Sequence, residues 1–222
     1  MQAEFVTRRG PGGMVVEALG NGPSIVFVHG LGDSGPAAWP AQRPLAARWR
    51  LICPHRPGYG GSPRDGREDF EADAALIAEL LGDGAHLVGQ GYGAVVALLA
   101  AAQRPRHVWS LTAIEPPSPS PARGDPDVDR YEQGLLAPTG APLDGPRSPR
   151  EAEFPLDVLM AATFPKLFIS SGHNPAHEAI CDALALQIGG DRKLMRGLGT
   201  SGPPDAAFNV VLEAFMQARP LP

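Results

Sequence analysis

The sequence has few cysteines, no excess of basic residues and no long apolar run, and each absence excludes a class of protein. Its two cysteines, Cys53 and Cys181, lack the CxxC spacing of a metal or redox site, so we expect reduced thiols in a cytosol-like compartment. The net charge is −5, whereas a nucleic-acid binder needs a basic face. No apolar run approaches a membrane span, and the N-terminal stretch MQAEFVTRRGPGG has no apolar signal core. These features predict a cytoplasmic protein without nucleic-acid or membrane partners.

The sequence does contain an alternation of short apolar runs with helical patterns. Two β-rich runs flank Gly12-Gly13 and predict a hairpin, and the continuous apolar run at 24–30 is typical of a buried parallel strand. Further strands are predicted at 50–54, 85–90, 108–115, 166–172 and 192–197, with helices at 37–49, 68–82, 92–103, 176–188 and 206–217. This alternation predicts one α/β domain over residues 1–222, in which helices cover both faces of a mostly parallel sheet.

The interval 116–151 breaks this rhythm, because it is rich in proline, glycine and charge and has little apolar periodicity. Its composition predicts neither a strand nor a long helix for the core. It leaves the carboxyl end of a predicted strand, where α/β sheets place their ligands, so we predict a short Pro-rich lid. The alternative is a linker without a function of its own.

The stretch HLVGQGYGAVV at residues 86–96 fits two different motifs. Gly89, Gly91 and Ala94 satisfy the G-x-G-x-x-A dinucleotide fingerprint, and Glu115 lies at the distance expected of a ribose-binding carboxylate. The same residues also fit the G-x-S-x-G nucleophile elbow, with glycine in place of the central serine. Such an elbow holds its central residue in a strained backbone conformation that glycine tolerates.

Segments along the rest of the chain favour the elbow. VFVHGLGDSGPAAW at 26–39 resembles the HG-x-G oxyanion loop of the α/β-hydrolase superfamily, and ICPHRPGYGGS at 52–62 resembles its D-x-x-G-x-G-x-S segment, with His55 where aspartate is usual. The segments LTAIEPP, FPKLFISSGHNPAHEAICDALA and GLGT…FNVVLEAF resemble later parts of that family in the correct order. The sequence is therefore identified as a member of the superfamily, which implies the α/β-hydrolase fold.

The resemblance also implies where the catalytic triad of such an enzyme would lie. The nucleophile position holds Gly91, and the position of the catalytic histidine holds Thr200. The acid position falls either near Asn174 or on Glu115. Because a triad needs a nucleophile and a base, these residues predict that ester, amide or epoxide hydrolysis by the usual mechanism is lost.

The remaining candidate residues follow from the same resemblance. Backbone N–H groups of Leu31 and Tyr92 are predicted to form an oxyanion hole, and Glu115, His55 and His173 are candidate acid/base groups, each with a structural role as the alternative. The predicted substrate-binding residues are His29, Gly30, Trp39, Tyr59, Gln90, Gly91, Tyr131 and Thr200. No cofactor is predicted, and no metal, since Pro175 separates His173 from His177 and no third ligand is evident.

These residues lead to three functional hypotheses. The first is a non-hydrolytic enzyme, namely a cyclase, isomerase or lyase, that holds a small, largely apolar carbonyl-containing molecule under the lid and polarises it in the oxyanion hole. The alternative is a catalytically silent protein that binds a small molecule or a partner. The third is a hydrolase with an unconventional nucleophile such as an activated water.

Overall fold

A computed structural model describes residues 4–134, 145–196, 198 and 204–218. Eight strands occur within these residues: β1 (Val6–Arg9), β2 (Val15–Leu19), β3 (Ser24–Val28), β4 (Arg50–Pro54), β5 (Ala85–Gln90), β6 (Val108–Ile114), β7 (Lys166–Ser170) and β8 (Asp191–Leu194). They form one sheet in the order β1-β2-β4-β3-β5-β6-β7-β8. The β1–β2 and β2–β4 pairs are antiparallel and the other pairs are parallel, which confirms the predicted mostly parallel sheet.

Helices cover both faces of the sheet. The α-helices of the described residues are α1 (Phe70–Leu80), α2 (Tyr92–Gln103), α3 (Pro126–Gly134), α4 (Leu156–Ala161), α5 (Pro175–Ile188) and α6 (Ala206–Gln217). One apolar core contains side chains of α1 to α5, and a second core on the opposite face contains those of α6. Helix α2 is buried along its first ten residues, which explains its many alanines. None of these helices has the apolar length needed to cross a bilayer.

The prediction of an α-helix at 37–49 is wrong, because this part of the chain is 3₁₀-helical. The chain forms two 3₁₀ segments there, Gly35–Ala38 and Pro40–Ala47. Proline has no N–H for an α-helical hydrogen bond, and Pro44 stands inside the second segment, so a regular α-helix cannot form. The two segments still cover the second face, because Trp39 and Leu45 pack into its core.

The interval 116–151 contributes more structure than its composition predicted. Helix α3 lies within it, and its Val128 is fully buried in the first core. The carboxylate of Asp125 accepts hydrogen bonds from the backbone N–H groups of Asp127 and Val128, at 2.9 and 3.3 Å, and so stabilises the start of the helix. Arg147 joins the end of the interval to the start of α1, because its backbone N–H donates to the carbonyl of Glu68 and its guanidinium pairs with Glu71 on α1 at 3.1 Å. The action of this interval as a lid stays a prediction.

Candidate functional site

The turn between β5 and α2 has the geometry of an elbow. Gly91 has φ 55° and ψ −124°, a conformation that side chains rarely adopt, and α2 begins at the next residue. The Gly91 N–H donates to the carbonyl of Ile114 at 2.9 Å, which places the turn at the carboxyl edge of the sheet beside β6. A Cβ atom at Gly91 would meet nothing within 4 Å. The turn thus presents open space where a G-x-S-x-G motif presents its nucleophile.

The flanking glycines are required by close backbone approach. A Cβ atom at Gly93 would lie 2.3 Å from the carbonyl oxygens of Val28 and His29, and one at Gly89 would lie 2.4 Å from the carbonyl oxygen of Gly93. Any larger residue would therefore push α2 away from β3 and β5. These contacts give the two flanking glycines a packing reason that needs no nucleotide, and the positive φ of Gly91 gives the central one a conformational reason.

The loop after β3 lies directly against the elbow. A Cβ atom at Gly30 would be 3.0 Å from the Gln90 carbonyl oxygen and 3.9 Å from the Tyr92 nitrogen. Leu31 follows on this loop and is 56% exposed. Tyr92 is the first residue of α2, and the N–H groups of a helix's first turn have no acceptor within the helix. The predicted oxyanion donors thus stand on two neighbouring segments.

A fully buried arginine holds this loop in place. The guanidinium of Arg56 donates to the carbonyl of His29 at 3.0 Å and to that of Gly30 at 2.8 Å. The same group forms ion pairs with the buried carboxylates of Glu68 and Asp73, at 2.5 and 2.7 Å. Burial raises the pKa of Asp73 to about 6, although the charge of Arg56 opposes the shift. Arg56 therefore links the predicted oxyanion loop to α1.

His29 braces the same loop as a neutral imidazole. Its Nε2 accepts from the Arg56 backbone N–H at 3.0 Å, so Nδ1 carries the proton and donates to the Gly30 carbonyl at 2.8 Å. Burial, reinforced by the charge of Arg56, lowers the pKa of His29 to about 3. Tyr59 packs against its ring with centroids 4.8 Å apart. Both nitrogens of His29 are occupied, so its contacts favour a bracing role over substrate binding.

A carboxylate, an imidazole and a phenol meet at the end of β6. One oxygen of Glu115 accepts from the backbone N–H of Ser171 at 2.9 Å and from the Ser171 hydroxyl. Its other oxygen lies 3.9 Å from Nδ1 of His177, on the first turn of α5. Nε2 of His177 is 3.3 Å from the hydroxyl of Tyr131, on α3. Two predicted site residues, Glu115 and Tyr131, are thus brought together by a histidine that was not predicted as a catalytic group.

Two other predicted residues, His55 and Trp39, have contacts that point to structural roles. His55 bonds Ser34 at 2.9 Å and Glu17 at 3.1 Å, so neither ring nitrogen is left for a substrate. Trp39 is 3% exposed and packs on Phe27 in the second core, because the flanking 3₁₀ segments turn it inward. His173 is exposed on the turn after β7.

Two further predictions concern the triad positions. Asn174, one of the two candidates for the acid position, caps α5 by accepting from the Ala176 N–H at 3.0 Å. Glu115 is the alternative that contacts a histidine. Thr200, at the expected position of the catalytic histidine, lies outside the described residues.

Arg56 and His177 are members of the site that were not predicted from the sequence. Arg56 stands in the segment ICPHRPGYGGS, but nothing in its spacing indicates that its partners follow 12 and 17 residues later. His177 had one usable signal, namely its place on the first helical turn after a strand that ends at the ligand-binding edge.

The comparison with protein families agrees with this geometry. A family model described as the alpha/beta hydrolase fold matches residues 23–179, which is more than half of the chain. The chain belongs to the α/β-hydrolase family. An α/β hydrolase from Sphaerobacter thermophilus superposes with a TM-score of 0.68 at 22% identity and covers 96% of this chain and 100% of its own. This likeness shows the shared fold, and it favours the elbow over the dinucleotide-binding turn.

Several curated relatives are named as esterases. This α/β-hydrolase is 38% identical over 103 residues to the pimeloyl-[acyl-carrier protein] methyl ester esterase of Methylococcus capsulatus. The aligned residues cover 46% of this chain and 40% of the esterase. The corresponding esterase of Aeromonas hydrophila is 35% identical over 102 residues, which cover 45% of this chain and 40% of that protein. The match thus spans less than half of these relatives' length. Because these relatives are named as hydrolases, the prediction of a cyclase, isomerase or lyase is wrong.

Proposed function

We propose that this α/β-hydrolase is a carboxylic-ester hydrolase in which a water molecule, instead of an elbow side chain, attacks the ester carbonyl. The observation that carries the proposal is the open elbow at Gly91, which lies beside the loop of the predicted oxyanion hole. Glycine offers no atom for an acyl-enzyme. The elbow and its neighbouring loop are nevertheless held in the geometry that ester hydrolysis uses in this family.

The elbow has room for the attacking water, and the predicted oxyanion hole lies beside it for the ester carbonyl. A serine side chain at residue 91 would project into space that is empty within 4 Å, so a water oxygen can occupy a similar position. As water attacks, the carbonyl oxygen gains negative charge and accepts hydrogen bonds from the N–H groups of Leu31 and Tyr92. The tetrahedral intermediate then expels the alcohol and leaves the free carboxylic acid. No covalent bond to the protein forms at any stage.

The substrate class follows from the relatives. The esterases of Methylococcus capsulatus and Aeromonas hydrophila act, by their names, on the methyl ester of a pimeloyl group on a carrier protein. We propose a methyl or other short alkyl ester of an acyl chain for this protein. Such an ester agrees with the predicted small, largely apolar carbonyl compound. The cytoplasmic location, the single domain over residues 1–222 and the lid at 116–151 remain part of the proposal.

The oxyanion amide of Leu31 offers a direct test. Leu31→Pro removes the N–H, whereas Leu31→Ala keeps it, and the side chain is exposed, so neither change opens the core. With p-nitrophenyl butyrate we expect Leu31→Pro to turn over about 100-fold more slowly than Leu31→Ala. Circular dichroism melting curves of both variants control for folding.

Two outcomes would contradict the proposed function. One is the absence of turnover by the repurified protein across a panel of p-nitrophenyl and methyl acyl esters, which would indicate a silent binding protein. The other is equal turnover by Leu31→Pro and Leu31→Ala, which would remove the amide from the mechanism.

A further inference from the structure

Glu115 lies at the centre of the sheet's carboxyl edge, next to the elbow. The residue before it, Ile114, accepts the N–H of Gly91, and the Glu115 N–H donates to Ile169 on β7 at 2.8 Å. Its backbone therefore lies between the elbow and β7, and its carboxylate bonds Ser171 at the turn that leads into α5. Among the described residues, Glu115 is the one non-glycine residue with a positive φ, at 47°. Such backbone strain is concentrated at functional sites, where the surrounding structure holds it.

The imidazole of His177 lies between the carboxylate of Glu115 and the hydroxyl of Tyr131. Its Nδ1 has no hydrogen-bond partner, and the nearer oxygen of Glu115 is 3.9 Å away. The Tyr131 hydroxyl lies 3.3 Å from Nε2, and the two rings meet edge to face at 5.2 Å. Because 3.3 Å is long for a hydrogen bond to a hydroxyl group, a water molecule can replace this contact.

The protonation states of His177 and Tyr131 allow His177 to act as a base. Burial lowers the pKa of His177, against the opposing effects of Glu115 and Glu178, so the ring is neutral at pH 7. Burial raises the pKa of Tyr131 to about 12, and the phenol keeps its proton. The phenol then donates to Nε2, and the proton on Nδ1 faces Glu115. The lone pair of Nε2 is thus directed at a hydroxyl oxygen, as it would be at an attacking water.

We infer that His177 is the general base of the proposed hydrolysis, and that Glu115 is the positioning residue that orients it. This inference rests on the proposed function. Nε2 takes a proton from water while the water oxygen bonds to the ester carbon. When the carbon–oxygen bond to the alcohol breaks, the imidazolium returns that proton to the leaving alkoxide. The products are one acid and one alcohol, and His177 is neutral again.

The pH profile separates a base from a structural residue. The charged and titratable groups that face His177 are Glu115 from the end of β6, Tyr131 from α3 and Glu178 from its own helix. We expect the acid limb of kcat/KM to have its midpoint below pH 6.5. Glu115→Gln removes the carboxylate that favours the imidazolium, so the midpoint should move to lower pH.

The central variant is His177→Gln, and His107→Gln is its matched control. His107 lies at the opposite edge of the sheet, where its Nδ1 contacts the carbonyl of Gly82. With p-nitrophenyl butyrate we expect His177→Gln to lose about 100-fold or more in kcat and its acid limb, as removal of a general base does. Turnover of His177→Gln within threefold of the unmodified protein, with the same acid limb, would overturn the inference and leave the proposed function standing.

A second experiment tests the base without relying on the protein's own turnover. Gly91→Ser places a hydroxyl in the open space at the elbow. We expect a fluorophosphonate probe to label this serine, and His177→Gln in the same background to slow labelling about 100-fold while His107→Gln does not. Labelling that is absent in folded Gly91→Ser, or unaffected by His177→Gln, would overturn the inference. Labelling that depends on His177 in a protein without ester turnover would instead support the base and reject the proposed function.

Discussion

Replacing Arg56 with methionine removes the fully buried cation that pairs with Glu68 and Asp73. Its side chain is fully buried and bonds two carboxylates, Glu68 and Asp73, that are 3% and 2% exposed. Methionine fills a similar volume but leaves Asp73 without its buried cation and Glu68 with the more exposed Arg64 alone, 4.0 Å away. It also removes the donors to the carbonyls of His29 and Gly30. Breaking a buried ion pair in this way costs about 3–5 kcal/mol in the free energy of unfolding.

This magnitude is measurable by urea unfolding followed through circular dichroism at pH 7. With a slope of about 2 kcal/mol per molar urea, a loss of about 4 kcal/mol lowers the midpoint by about 2 M. Arg48→Met is the matched control, because Arg48 pairs with Glu213 at 3.4 Å and its side chain is 64% exposed. That surface pair should contribute less than about 1 kcal/mol.

A triple variant tests whether the unpaired buried carboxylates cause the loss of stability in Arg56→Met. Arg56→Met combined with Glu68→Gln and Asp73→Asn removes the cation and both carboxylates together, and should recover about half of the lost stability, since neutral amides cost less to bury. A loss below about 1 kcal/mol in Arg56→Met, or no recovery in the triple variant, would refute the role given to this cluster.

Two further predictions concern pH. Asp73 has a pKa of about 6 in the folded protein, above its unfolded value, so its contribution to stability is greatest in acid and declines as pH rises through 6. The unfolding free energy of Asp73→Asn relative to that of the unmodified protein should therefore rise by about 2 kcal/mol between pH 4 and pH 7. Burial lowers the pKa of His86 to about 4, so its contribution is present above pH 6.5 and lost as pH falls through 4. In urea titrations, His86→Gln should lose about 3 kcal/mol less unfolding free energy than the unmodified protein when the pH falls from 7 to 4. If the unfolding free energies of a variant and of the unmodified protein change with pH in parallel, the pKa shift assigned to that residue is contradicted.

The sequence predicted the parts of this molecule that repeat a simple physical pattern. Apolar runs bounded by turn residues located the strands, and the glycines around residue 91 located the elbow, since only glycine fits where α2 approaches β3. The α-helix predicted at 37–49 does not form, because Pro44 lies inside the apolar pattern and has no N–H for an α-helical hydrogen bond. Helix α3 was not predicted because it is short, it is surrounded by proline and charged residues, and Val128 is its one buried residue.

The site was harder to predict because its contacts join distant segments. The chain from Tyr131 through His177 to Glu115 brings together α3, α5 and the end of β6, and no spacing in the sequence encodes that meeting. The functional prediction went wrong at a different step. A glycine at residue 91 removes a covalent nucleophile, but it leaves room for water, so it does not by itself exclude hydrolysis.

Intact-protein mass spectrometry during turnover of p-nitrophenyl butyrate tests the central claim most directly. If water attacks the ester at the open elbow, p-nitrophenol accumulates over many turnovers while the mass of the protein stays unchanged and no initial burst appears. A butyryl adduct that forms and decays at the rate of turnover, for example on Ser171 beside Glu115, would contradict the account, as would the absence of product.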